Sequence, residues 1–144
     1  YWNQPQANKE SFVGEWFRTG DVAYINDGHL YVVDRIKQLI IRGGENIGCG
    51  EVEDALLDHT DVIEASVYGV PDERLGETVA ATLYISADAK NVAISDYLQS
   101  KLAKFKVPEY LKLCTEQLPR IASGKIDKRR IRTQLVEVAE DATA

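Results

Sequence analysis

Beyond residue 20 the apolar residues of this chain fall into short runs separated by turn-forming residues, and their spacing changes from run to run. Val22-Ala-Tyr-Ile-Asn26 and His29-Leu-Tyr-Val-Val33 flank Asp27-Gly28, a pair suited to the positive φ values of a two-residue hairpin turn. The pattern predicts a β-hairpin that ends near Asp34. Leu39-Ile-Ile41 follows as a short strand and breaks at Gly43-Gly44, where the backbone can turn sharply or admit another group closely. Over residues 48–59 the period becomes helical, with Val52, Ala55 and Leu56 on one side. Glu51, Glu53 and Asp54 lie near the start of that helix, where its dipole favours negative charge.

Val62-Ile-Glu-Ala-Ser-Val-Tyr-Gly69 reads as a strand stopped by Pro71-Asp72, and residues 77–86 read as another, joined to it by a polar, exposed turn. Ile94, Tyr97, Leu98, Leu102 and Phe105 recur at three and four, giving a helix that Pro108 follows. A third strand is expected at residues 110–114 and a small flexible loop at 121–127. A last helix over 127–138 then places Ile131, Leu135 and Val138 on one face, and the final six residues are expected to fray. This alternation predicts an α/β (α+β) fold, a small domain with a short central sheet flanked by helices and preceded by the hairpin. A lone hairpin is marginal in water, so that first part reads as the edge of a larger domain.

The first 20 residues sharpen that expectation. Tyr1, Trp2, Phe12, Trp16 and Phe17 carry much aromatic area without a helical or strand period, interrupted by Pro5 and Gly14, and such area calls for a partner surface. The chain has 144 residues and no methionine, which reads as a piece cut from a longer protein. With 44% hydrophobic and 28% charged residues it has a soluble composition, and no apolar run approaches the roughly 18 to 20 residues of a membrane span. A net charge of -6 argues against general nucleic-acid binding, and the basic run Lys125-Ile-Asp-Lys-Arg-Arg-Ile-Arg132 reads as a solvated helix face. Cys49 and Cys114 are too few for a disulfide framework and fit a reducing, cytoplasmic setting. Cys49 reads as a small buried residue, and neither the cysteines nor His29 and His59 have metal-binding spacing.

Between the two halves lies Val33-Asp-Arg-Ile-Lys37 followed by Ile41-Arg-Gly-Gly-Glu-Asn-Ile47. With Gly14-Glu-Trp-Phe-Arg-Thr-Gly-Asp21 before them and Glu51-Val-Glu53, Gly69-Val-Pro-Asp72 and Pro119-Arg-Ile-Ala-Ser-Gly-Lys125 after them, these motifs occur in an order that resembles the C-terminal end of the adenylate-forming enzymes. That superfamily includes acyl-CoA synthetases, luciferase and peptide-synthetase adenylation domains. The resemblance spans residues 1–135 and is strongest to the acyl-CoA synthetases.

The resemblance implies that residues 1–36 end a large N-terminal domain and that residues 37–144 form a small mobile one. It implies an AMP-forming ligase that joins a small carboxylic acid to CoA at the expense of ATP with Mg2+, in fatty-acid metabolism, with the present chain alone inactive and holding no cofactor. By the same resemblance Asp21 accepts hydrogen bonds from the ribose hydroxyls, Arg35 faces the nucleotide, and Lys37 is the hinge. Gly43 and Gly44 line the channel for the pantetheine arm, and Lys125 is the catalytic lysine of adenylation. Some relatives carry a further lysine where this chain has Ile41, so only backbone and shape roles are implied for the thioester step. Plainer roles stay open for each: an Asx turn for Asp21, a surface ion pair for Arg35 with Asp34 or a neighbour, surface lysine for Lys37 and Lys125, and a simple turn for the glycines. Two other functions also stay open, an adenylation domain serving a carrier-bound thiol and a non-catalytic α/β interaction domain.

Overall fold

The computed structural model describes residues 1–86 and 94–141, the last six of these by backbone alone. The chain divides into two compact units, Tyr1–Lys37 and Gln38–Ala144.

In the first unit a short helix α1 (Pro5–Ser11) precedes the two-residue strands β1 (Phe12–Val13) and β2 (Trp16–Phe17), which pair antiparallel. Helix α1 has no counterpart in the apolar pattern because none of its residues is buried, and a helix with no buried stripe leaves no period. Pro5 suits its first turn, where the missing N–H has no helical partner. Strands β3 (Asp21–Asn26) and β4 (His29–Arg35) form the expected hairpin, with φ of 48° at Asp27 and 75° at Gly28 in the turn. No residue of this unit is buried: Trp2 is 97% and Trp16 82% exposed.

A 3-10 turn over Ile36–Gln38 spans the boundary between the two units. The elements of the second unit are β5 (Ile40–Arg42), β6 (Glu45–Ile47), α2 (Cys49–Leu57), β7 (Val62–Asp72), β8 (Gly76–Ile85), α3 (Ile94–Lys101), β9 (Tyr110–Cys114) and α4 (Lys128–Asp141). The sheet runs β6-β5-β8-β7, and β9 lies parallel to β8 along residues 80–84. One face of the β7–β8 ribbon carries Val67, Val79, Ala81 and Leu83 against Val52 and Leu56 of α2 and Ile94 and Leu98 of α3. The opposite face carries Tyr68, Val70 and Ala80 against Leu118 and Ile131. Burial on both faces explains why these two strands read as almost continuous apolar runs rather than alternating ones.

Three details depart from the sequence pattern. Strand β7 continues through Pro71, because β7 is an edge strand and a proline there removes no ladder bond. The helix expected to reach Phe105 ends at Lys101, and Phe105 packs on the core from a 3-10 turn over Lys104–Lys106. The segment after Gly44, to which the pattern assigned no element, is a strand, β6. In α4, Ile131 is buried and Leu135 half-buried as the pattern requires, whereas the side chain of Val138 and the last three residues lie outside the described ones. Among the described residues no helix is long and apolar enough to cross a membrane.

Candidate functional site

In the first unit the two nucleotide candidates face each other. Asp21 and Arg35 are Cα partners at the open end of the hairpin, and Arg35 Nε lies 3.0 Å from Asp21 Oδ1. The surrounding backbone is held without either side chain: the Asp21 amide donates to Thr19 Oγ1 at 3.2 Å and the Ile36 amide to the Gly20 carbonyl at 2.9 Å. The Asp21 carboxylate is therefore directed across the hairpin. Asp34 instead accepts the Arg35 backbone amide at 2.7 Å. An exposed pair of this kind contributes roughly 0 to 1 kcal/mol, so a ligand hydroxyl or phosphate can displace one partner from the other at little loss. Lys37 is exposed within the 3-10 turn.

In the second unit Gly43 and Gly44 are the two residues between Arg42 and Glu45, which pair across the β5–β6 hairpin. Their φ values are 57° and 90°, the positive pair that a type I′ turn demands and that side chains with a Cβ resist. A Cβ built at Gly44 meets nothing within 4 Å, so this side of the turn is open. Three contacts fix the turn to the sheet. The Gly43 amide donates to the Leu75 carbonyl at 2.8 Å, and the Ile41 amide to Glu77 Oε2 at 3.0 Å. Arg42 Nε donates to Thr78 Oγ1 at 3.1 Å, and that buried hydroxyl donates in turn to Glu109 at 2.9 Å. Asp72 holds the adjoining β7–β8 turn by accepting the amides of Leu75 at 2.7 Å and Arg74 at 2.9 Å. The Leu75 amide chiefly, helped by Arg74, keeps the Asp72 carboxyl below the usual carboxylate range.

Lys125 closes a second, tighter loop. Arg120 and Ile126 form an antiparallel bridge, the Ile121 amide donates to the Lys125 carbonyl at 2.9 Å, and the Gly124 amide to the Ile121 carbonyl at 2.9 Å. Gly124 adopts a φ of 84°. Immediately afterwards Asp127 caps α4, its Oδ1 accepting the Arg130 amide at 3.1 Å. The basic run is thus not one solvated face. Lys128 pairs with Glu53 at 2.7 Å and Arg132 approaches Glu77 at 3.6 Å, while Lys125 stands exposed outside the helix with no acidic partner among the described residues.

These two loops are anchored at different ends of the β7–β8 ribbon. The Lys125 loop is tied to Glu64, two residues into β7, through Arg120. The glycine turn is tied to Leu75, in the connection beyond Asp72 at the other end of β7. At about 3.3 Å per residue, the stretch of β7 from Glu64 to Asp72 separates the anchors by roughly 25 Å.

The motifs gave roles to Gly43, Gly44 and Lys125, contained Arg42 and Arg120 without giving them one, and did not assign Glu64, Glu77 or Glu109, all of which hold the two loops. A signal existed: Glu64 is the one charge inside Val62–Tyr68, and a lone charge in a buried strand implies a partner. The cysteines are occupied structurally. Cys49 donates its S–H to the Gln38 carbonyl at 2.9 Å, and Cys114 donates to Leu83 at 3.0 Å, with burial pushing the Cys114 thiol up. Among the described residues no group of three or more His, Cys, Asp or Glu could hold a metal ion.

The Ser-Gly-Lys loop and the Gly-Gly turn are thus carried by one small α/β unit. The chain belongs to the family of AMP-binding enzyme C-terminal domains, whose pattern matches residues 51–125. Over 138 residues it is 41% identical to a long-chain-fatty-acid–CoA ligase of Mycobacterium tuberculosis, covering 93% of this chain and 27% of that protein. An oxalate–CoA ligase of Arabidopsis thaliana is 43% identical, with 95% of this chain and 27% of that protein covered. Among solved structures, o-succinylbenzoate CoA synthetase of Bacillus subtilis, in complex with its acyl-adenylate intermediate, matches with a TM-score of 0.81 and 41% identity over 94% of this chain and 27% of that one. The chain thus spans about a quarter of the length of the curated relatives it matches.

Proposed function

We propose that this chain is the C-terminal part of an ATP-dependent acid–CoA ligase, with residues 1–36 ending a large N-terminal domain and residues 37–144 turning against it about Lys37. In the first half-reaction a carboxylate oxygen attacks the α-phosphorus of ATP and pyrophosphate leaves, giving acyl-AMP. In the second the CoA sulfur attacks the acyl carbon and AMP leaves, giving the thioester. One observation carries this reading: the Lys125 loop and the glycine turn are held at opposite ends of β7, by Glu64 and by Leu75 beyond Asp72, anchors that strand geometry puts roughly 25 Å apart. A single reaction centre can meet only one of them at a time. Two orientations about a hinge then serve two half-reactions.

Each residue has a role suited to its chemistry. The Lys125 ammonium bridges the acid carboxylate and the α-phosphate while negative charge moves between them. Asp21 accepts from the ribose hydroxyls, and Arg35 donates to ribose or phosphate oxygens once the two are parted. The open side of Gly44 leaves room for the pantetheine arm. Mg2+ enters with the ATP phosphates. The uncovered aromatic and aliphatic surface of the first unit supports a large domain lying over it. Two free cysteines support a cytoplasmic setting.

The acid is not specified by this part of the protein. The relatives are named for acids as unlike as long-chain fatty acids, oxalate and 2-succinylbenzoate, at 41 to 44% identity. The complete ligase carrying this chain, given ATP, CoA and a panel of these three acids, is expected to release AMP and pyrophosphate in step with one acyl-CoA. Release of ADP, or no adenylate from any acid, contradicts the proposal. The isolated chain is expected to be inactive.

A further inference from the structure

We propose that Arg120 is a positioning residue for Lys125, a fork that ties the tip of the lysine loop to the sheet; this rests on the reading of Lys125 given above. One arm of the guanidinium, NH1, donates to the Gly124 carbonyl at 2.7 Å, and the other, NH2, pairs with Glu64 Oε1. That carbonyl belongs to the peptide unit joining Gly124 to Lys125. Holding it fixes the plane from which the Lys125 side chain departs.

The far end of the fork is itself immobilised. The Glu64 side chain is only 11% exposed, its Oε2 accepts the Leu118 amide at 2.9 Å, and Gln117 Nε2 reaches Oε1 at 3.4 Å. A path of direct contacts therefore runs from β7 through Glu64 and Arg120 to the residue beside Lys125. The remaining bonds of the loop, from Ile121 to Lys125 and from Gly124 to Ile121, close it on itself and do not reach the sheet. Gly124 gives no stiffness of its own. Its φ is 84° and a Cβ built there meets nothing within 4 Å, so nothing packs on Gly124 itself, whereas Ile126 on the far side of Lys125 packs against the core.

A lysine at position 120 is no substitute, because a point charge cannot span a carbonyl and a carboxylate in fixed geometry as a planar fork does. A catalytic charge displaced by about 1 Å loses on the order of 10²-fold in rate.

The test compares the complete ligase with its R120A, R120K, E64Q and K125A variants, measuring acyl-adenylate formation and, separately, thioester formation from supplied acyl-adenylate. R120A and R120K are expected to lower kcat for adenylation by about 10- to 100-fold while KM for ATP and the thioester step stay within about twofold. E64Q, whose single amide oxygen can accept from Leu118 or from Arg120 but not from both as the two carboxylate oxygens do, is expected to lower kcat for adenylation as well. Adenylation within twofold of wild type in R120A and R120K, or equal loss of both half-reactions, overturns the proposal. If R120A does not fold, R120K decides on the same two outcomes. K125A separates the two readings: loss of adenylation in K125A without loss in the Arg120 variants sinks the positioning role alone, whereas retention in K125A sinks the assignment of Lys125 itself.

Discussion

Arg35 and Asp21, chosen separately from two motifs, are Cα partners at the open end of one hairpin, with Nε and Oδ1 3.0 Å apart. Arg35 is 67% exposed, so the pair contributes little to folding. Replacing Arg35 by Ala is expected to change stability by no more than about 1 kcal/mol. If both groups are drawn to a nucleotide instead, loss of either charge weakens ATP. In the complete ligase D21A and R35A are each expected to raise KM for ATP about 10- to 100-fold, as for a hydrogen bond to a charged group, with KM for CoA unmoved. Steady-state kinetics with each substrate varied in turn checks this, and an unchanged KM for ATP leaves the pair as surface electrostatics only.

The glycine turn separates backbone strain from channel shape. At Gly44, φ is 90° and the space around a built Cβ is open, so Ala and Leu share the same strain of about 1 to 2 kcal/mol but differ in bulk. Thermal unfolding of G44A and G44L is expected to be lowered alike. The thioester step is expected to fall further in G44L than in G44A, with adenylation nearly equal in the two. If G44L turns over CoA as fast as G44A, the channel role is wrong.

Asp72 is expected to contribute stability that acid removes. Its native carboxyl is held below the usual range by the Leu75 and Arg74 amides, so the native state favours the charged form more than the unfolded chain does. The resulting stability is present above the unfolded pKa and is lost as pH falls through the lower, native one. D72N keeps an oxygen acceptor but no charge. Urea unfolding across pH 7 to about 3 is expected to show wild type more stable than D72N near neutrality, with the difference shrinking as acid protonates Asp72. A difference that stays constant over that range contradicts the assignment.

The elements that could be read in the sequence were those with a distinctive turn pair or a buried apolar stripe. The hairpin announced itself by Asp27-Gly28, and α2 by Val52 and Leu56, both fully buried. Helix α1 buries nothing and so wrote no period. Strand β6 has three residues, of which Ile47 alone is buried, too few to alternate. In the candidate site the loops were legible because glycine and lysine occupy short local motifs. Their supports were not: Arg42 and Thr78 are 36 residues apart, and Arg120 and Glu64 are 56 apart. Those pairings follow from which strand lies beside which, and the order β6-β5-β8-β7 with β9 beside β8 is set by packing of the whole sheet rather than by any one segment.

The division of labour between two loops anchored at different ends of one sheet is tested most directly at Lys125. In the complete ligase K125A is expected to slow acyl-adenylate formation by about 10² to 10³, the loss of roughly 3 to 4 kcal/mol of transition-state stabilisation found for single electrostatic donors. Thioester formation from supplied acyl-adenylate is expected to remain within about threefold of wild type if, as proposed, that step uses the glycine turn instead. Equal slowing of the two half-reactions, or unimpaired adenylation, contradicts the account.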